Sequence, residues 1–181
     1  MATLETNGVR LNLVREGDGP PVVLLHGYLF GADWWRPQID ALRARHACIA
    51  VDLRGQMGSE VTEAGYSLWN QAEDIHGLIQ QLEIAPAHVV GLSMGGMIAM
   101  RLALAHPEDV ASLVLMDTSA APEEPENHER YEAMYQVVEG GDLEAVIPAL
   151  PPIFLADDFI AEQGDHTNAW LDRLRQSDPL G

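Results

Sequence analysis

Five residues, Gly91-Leu92-Ser93-Met94-Gly95, constrain this chain more than any other stretch. They follow the apolar run Ala87 to Val90 and open a second apolar segment, Met94 to Ala105, so the serine falls where a predicted strand becomes a predicted helix. Glycine has no Cβ. One such residue two positions to either side lets strand and helix approach while the serine is held on a sharp, strained turn. In this context the pattern is a nucleophile elbow, which projects the Ser93 hydroxyl and aims the Met94 amide at the atom that it attacks. The alternative is a glycine-rich turn with an inert serine, and the strand-turn-helix context argues against it.

The flanking sequence supplies a sheet for that turn to sit on. Val22 to Leu25, Ala47 to Val51, Val89 to Leu92 and Val110 to Met116 are short continuous apolar runs, the kind buried on both faces of a parallel sheet. Ahead of them, Thr3 to Thr6 and Val9 to Arg15 flank Asn7-Gly8, a dipeptide that tolerates positive φ and suits a tight hairpin. Helices are predicted over about Trp34 to Arg45, Asn70 to Glu83 and Met94 to His106. In the second, Ile75, Leu78, Ile79 and Leu82 share one face at helical spacing. Strands alternating with helices predict right-handed crossovers and an α/β fold, a three-layer sandwich with a mostly parallel sheet. Ligands in such sheets bind beyond the carboxyl ends of the strands, where His26, Asp52, Ser93 and Asp117 all fall.

After Asp117 the rhythm changes, which divides the chain into a core over 1–117 and an acidic helical segment over 118–181. Ala120 to Asn127 is proline-rich. Short helices follow over Arg130 to Val138, Leu143 to Leu150, Asp157 to Gln163 and Ala169 to Arg175, separated by Gly140-Gly141, Pro151-Pro152 and Gly164. Across all 181 residues, 28 acidic side chains face 10 basic ones, every one of them arginine, for a net charge of −18. From Thr118 onward, 14 acidic residues oppose 3 arginines. Such a balance repels nucleic acid and anionic membranes, so neither is an expected partner. With no membrane-length apolar run and no basic start followed by an apolar centre, a soluble, cytoplasmic chain without a signal peptide is expected. The lone cysteine, Cys48, lies inside a predicted strand and reads as a small core residue.

Three motifs occur in order: Val22-Val23-Leu24-Leu25-His26-Gly27-Tyr28, Asp52-Leu53-Arg54-Gly55, and Gly91-Leu92-Ser93-Met94-Gly95-Gly96. On them the chain resembles the α/β-hydrolase superfamily, nearest to the group of aryl esterases, enol-lactonases and cofactor-free haloperoxidases or perhydrolases. The match covers about Val9 to Asp117. The resemblance implies that Ser93 is the nucleophile, that the main-chain amides of Tyr28 and Met94 form its oxyanion hole, and that 118–181 is similar to a cap. It also implies that His26 shapes the oxyanion loop beside the substrate pocket and that Asp52 orients the arginine-glycine turn after it. Trp34, Trp35, Met94 and Met97 are the apolar pocket candidates. Adjacent tryptophans on a helix cannot share a face, and Trp35 and Met97 are taken as the pocket pair.

The departure from the family lies at the other end. A serine hydroxyl needs a base, normally a histidine oriented by a carboxylate, and the family places both on loops after two further strands that this chain lacks. Asp117 is the fallback acid, against the alternative of a loop-ordering aspartate. His26, His128 and His166 are weaker fallbacks for the base. Ending the sheet at Met116 would leave that strand an uncovered apolar edge. Three readings follow: a piece of a longer hydrolase, a chain that completes its sheet as a homo-oligomer, or a non-catalytic module that binds small molecules or other proteins. The expected activity is a serine hydrolase acting on a small carboxylic ester or lactone through an acyl-Ser93 intermediate, with no metal and no cofactor. A perhydrolase or haloperoxidase is the alternative chemistry.

Overall fold

The computed structural model of the chain describes residues 2–122, 125–140 and 142–177. Glu123, Glu124 and Gly141, which belong to the proline-rich stretch and to one of the predicted helix breaks, lie outside the described residues, as do the last four positions. The chain divides into two compact units, Met1–Ala120 and Ala121–Gly181. Among the described residues, no helix is long and apolar enough to cross a membrane.

The first unit is built on one six-stranded sheet. Its strands are β1 (Ala2–Thr6), β2 (Val9–Glu16), β3 (Pro21–Leu25), β4 (Ala47–Val51), β5 (Ala87–Leu92) and β6 (Val110–Met116). They lie in the order β1-β2-β4-β3-β5-β6, and β2 alone runs antiparallel to its neighbours. The β1–β2 turn is as tight as Asn7-Gly8 predicts: Thr6 pairs with Val9, and the two loop residues take φ of 45° and 71°.

Helices cover both faces because the strand side chains alternate. On one face Val23, Leu25, Ile49, Val51 and Val89 pack with α2 (Leu68–Gln81) and α3 (Met94–Ala105), through Ile75, Leu78, Ile79, Ile98 and Leu102. On the other, Val22, Leu24, Cys48 and Ala50 pack with Trp35 and Ile39 from a 3₁₀ turn (Ala32–Trp35) and α1 (Arg36–Leu42). Every residue of β4 is buried, Cys48 included, as its unbroken apolar run requires. The predicted helix from Trp34 to Arg45 is therefore two pieces. Cover thins toward β6, which among the described residues pairs with β5 alone and leaves Val114, Leu115 and Met116 exposed by 49%, 44% and 40%.

A buried ion pair fastens the loop after β4. Arg54 donates from Nε and Nη2 to the two carboxylate oxygens of Asp74 on α2, at 2.9 and 2.7 Å, with both side chains nearly sealed from solvent. Its Nη2 also donates to the Asn7 carbonyl and its Nη1 to the Thr62 hydroxyl, so one guanidinium joins hairpin, loop and helix. Such a fork is satisfied at nearly every donor, which is the condition under which a buried charge is tolerated.

The second unit contains α4 (Pro125–Glu139), α5 (Leu143–Val146), a 3₁₀ turn (Ile147–Ala149), α6 (Pro151–Phe154), α7 (Asp157–Glu162) and α8 (Gly164–Gln176). Pro151-Pro152, expected to separate helices, instead opens α6. Proline is tolerated in a first helical turn, where its missing N–H has no intrahelical acceptor to lose. Phe154 meets Trp170 edge-on at 6.1 Å, and Arg175 bridges α8 to Glu144 of α5 at 3.0 Å.

Removing one partner of the buried pair strands the other. Arg54→Ala is expected to lower the unfolding free energy by about 3–5 kcal/mol, measured by urea denaturation.

Candidate active site

Ser93 sits between β5 and α3 with φ 49° and ψ −116°, outside the regions open to most side chains. Holding a non-glycine residue there costs on the order of 1–3 kcal/mol, and the surroundings must over-determine it. They do. Its amide donates to the Met116 carbonyl of β6 at 2.9 Å. Its own carbonyl accepts from the amides of Gly96 and Met97, at 2.9 and 3.1 Å, and from the Thr118 hydroxyl at 2.7 Å. The two motif glycines are required by space: a Cβ on Gly91 would lie 2.5 Å from the Gly95 carbonyl oxygen, and one on Gly95 would strike the carbonyl oxygens of Leu25 and His26. Met94 opens α3, so its N–H is among those the helix leaves without an internal acceptor.

The loop after β3 presses against this turn. A Cβ on Gly27 would stand 3.4 Å from the Ser93 Cβ, which brings the Gly27–Tyr28 backbone alongside the serine. Three side chains fix the loop. His26, fully buried, accepts from the Leu53 amide at Nε2 (3.0 Å), and its Nδ1 lies 2.7 Å from the Gly27 carbonyl oxygen. A backbone N–H can only donate and a carbonyl can only accept, so the ring is neutral with its proton on Nδ1. Burial, opposed by the Gly27 carbonyl and the Asp52 charge, accordingly holds His26 below its ordinary pKa of 6.5. Gln56 accepts from the Leu29 amide at 2.8 Å, where Leu29 takes φ 66°. Asp52 accepts from the Ala32 amide (2.6 Å) through one oxygen, and from Asn12 Nδ2 (2.6 Å) and the Gly58 amide (3.0 Å) through the other. Its carboxylate is committed to loops on both sides of β4.

The sequence-derived candidates fall into two groups. Ser93, Met94, Met97 and Tyr28 lie at the elbow and its neighbouring loop, the first three half-buried and Tyr28 43% exposed. Asp117 follows the Met116 carbonyl that binds the Ser93 amide, is exposed, and takes φ 44°. Trp35, taken as a pocket residue, is 2% exposed and packed in the core with Val22, Leu24, Ile39, Cys48 and Ala50. Its neighbour Trp34 is the half-buried one, with its ring 4.5 Å from Phe30. His26 is likewise interior, with both nitrogens occupied. Among the described residues no side chain hydrogen-bonds the Ser93 hydroxyl. His88 lies near the opposite end of β5, bonded to Ser112; His128 and His166 are exposed on the second unit. Thr118, Gln56 and Asn12 brace the site by side-chain hydrogen bonds to Ser93, Leu29 and Asp52, and carry no sequence pattern that would have flagged them.

With this geometry, comparison with known proteins is direct. A family model described as the alpha/beta hydrolase fold matches residues 20–158, and the chain belongs to that family. Among curated relatives, RutD of Azorhizobium caulinodans, a putative carbamate hydrolase, is 41% identical over 101 residues, covering 56% of this chain and 38% of that protein. BpoC of Mycobacterium tuberculosis, a putative non-heme bromoperoxidase, is 42% identical over 104 residues, covering 56% of this chain and 39% of that one. The chain thus aligns with about two fifths of the length of these relatives. A thermophilic esterase from Thermogutta terrifontis superposes with a TM-score of 0.91 at 24% identity, over 99% of this chain and 68% of that one, a likeness of fold.

The neutral ring of His26 makes the fold sensitive to acid. Below pH 6.5 the unfolded chain takes up a proton that the folded one refuses, so this contribution is whole above 6.5 and is lost as pH falls. The stability advantage of wild type over His26→Gln is expected to shrink by up to about 1.4 kcal/mol per pH unit between pH 6.5 and 5, read from denaturant titrations.

Proposed function

We propose that Ser93 is the nucleophile of a serine hydrolase acting on a small uncharged or aromatic carboxylic ester or lactone. The observation that carries this reading is the strained backbone of Ser93, held by four hydrogen bonds against a loop that a methyl group on Gly27 would bring into contact. Strain maintained at such expense is characteristic of functional positions. In the proposed reaction Ser93 Oγ bonds to the acyl carbon as its proton passes to a base. The carbonyl oxygen becomes an oxyanion facing the amides of Tyr28 and Met94, each worth about 3 kcal/mol in the transition state. Collapse releases the alcohol, which takes up the proton, and water then cleaves acyl-Ser93 to the acid and free serine.

The base is a histidine in this scheme, with Asp117 as the carboxylate that orients it. A histidine from outside the first unit fills the role. His26 is unsuited to it, because both its nitrogens are committed to backbone. The likeness to a carbamate hydrolase supports a hydrolytic reading. Likeness to a bromoperoxidase favours a second reading on the same serine: hydrogen peroxide replaces water in the second half-reaction and releases a peracid. Bromination of a chlorinated reporter in acetate, bromide and peroxide separates the two, the peracid oxidising bromide to the halogenating species.

Ser93→Ala removes one hydroxyl from an interlocked turn. It is expected to abolish fluorophosphonate labelling and p-nitrophenyl ester turnover while leaving the melting temperature within a few degrees. A wild-type chain that takes no label would mark a binding module or an inert fragment, and turnover that persists in the variant would remove Ser93 from the mechanism.

A further inference from the structure

We propose that His76, His106 and Asp109 form a binding site for one divalent first-row transition ion, zinc being the natural probe, at the end of α3 opposite Ser93. Each of the three offers a ligand atom, and these atoms lie within 4.8 Å of one another. The residues come from separate segments: His76 from α2, His106 from the C-cap of α3, and Asp109 from the 3₁₀ turn (Pro107–Asp109) that leads into β6. Two imidazoles and a carboxylate are a donor set suited to zinc and its neighbours.

The surroundings are those of a site rather than a chance encounter. Asp109 is wholly buried, with Oδ2 2.7 Å from His76 Nδ1 and Oδ1 accepting from Gln80 Nε2 at 2.6 Å. Gln80 therefore orients the carboxylate while the other oxygen faces the histidines, as outer partners of metal ligands do. Glu73, one turn from His76 on the same face of α2, lies 2.9 Å from His106 Nε2 and places a second carboxylate beside the cluster. Glu108 adds a third carboxylate 3.8 Å from His106 Nδ1. The imidazoles are stacked, with centroids 3.6 Å apart and planes 9° from parallel. A single divalent ion between the rings would neutralise the buried Asp109 carboxylate beside them.

Tetrahedral zinc bonds of about 2.0–2.2 Å set neighbouring ligand atoms roughly 3.4 Å apart. Closing from 4.8 Å requires the stack to open so that the ring lone pairs converge. Both rings have room, with side-chain exposures of 28% and 20%. The ion would not touch the acyl chemistry: the 12 residues of α3 separate His106 from Ser93, about 18 Å along the axis. Its effect is to clasp α2 to the corner between α3 and β6, independently of whether Ser93 is a nucleophile.

The test uses the untagged chain, stripped with a chelator and titrated with zinc chloride by calorimetry and thermal melting. One ion per chain is expected, with the melting temperature raised by roughly 5–10 °C at a hundredfold excess over Kd. Cobalt is expected to give the visible bands of a tetrahedral complex. His76→Gln and His106→Gln should each weaken zinc binding tenfold or more, while His88→Gln leaves it unchanged. If either ligand variant fails to fold, Glu73→Gln serves in its place, with weakened binding and an unaltered stripped melting temperature. Absence of zinc uptake at 100-fold molar excess, or one-to-one binding that both ligand variants retain, overturns the proposal.

Discussion

The first unit depends on how closely two main chains meet where β3 and β5 end. At Gly95 the helix backbone lies against the carbonyl oxygens of Leu25 and His26 with no room for a single methyl group, and Gly91 is as tightly placed against Gly95 itself. This contact fixes the angle at which α3 leaves the sheet, the backbone angles of Ser93, and the distance from Ser93 to the loop at Gly27. Van der Waals exclusion does here what a hydrogen bond cannot, because it tolerates almost no alternative geometry.

Around that contact the polar interior works as a set of braces from strand ends to loops. His26 joins the end of β3 to the backbone after β4, Asp52 joins the end of β4 to the loops at Ala32 and Gly58, and Arg54 joins the next turn to α2. Each brace consumes the polar atoms that would otherwise suit it to chemistry. A histidine and an aspartate at the carboxyl ends of parallel strands look catalytic by position, and their hydrogen bonds show them to be structural. What they hold still is the serine.

How much of this was legible in sequence follows from the kind of signal each feature carries. The central strands and α2 and α3 were visible, to within about two residues, because burial on two faces forces continuous apolar runs and burial on one forces helical spacing. The elbow was visible because close approach demands glycine. Trp34 and Trp35 show the limit: adjacency implies that they part ways, but only the 3₁₀ turn determines that Trp35 is the one sent into the core. Proline's part in opening α6 was missed because the same residue stops a helix or starts one according to its place in the first turn. Thr118, Gln56 and the histidine pair on α2 and α3 act across long separations, with no spacing to betray them.

The outer rim of β6 has a consequence for how the molecule behaves among its own kind. Val114, Leu115 and Met116 are exposed on a strand that, among the described residues, pairs on one side only, so an extended backbone laid along its other side would gain main-chain hydrogen bonds and apolar cover together. The net charge of −18 acts in the opposite sense on any second copy that approaches, and the reach of that repulsion shortens as salt is added.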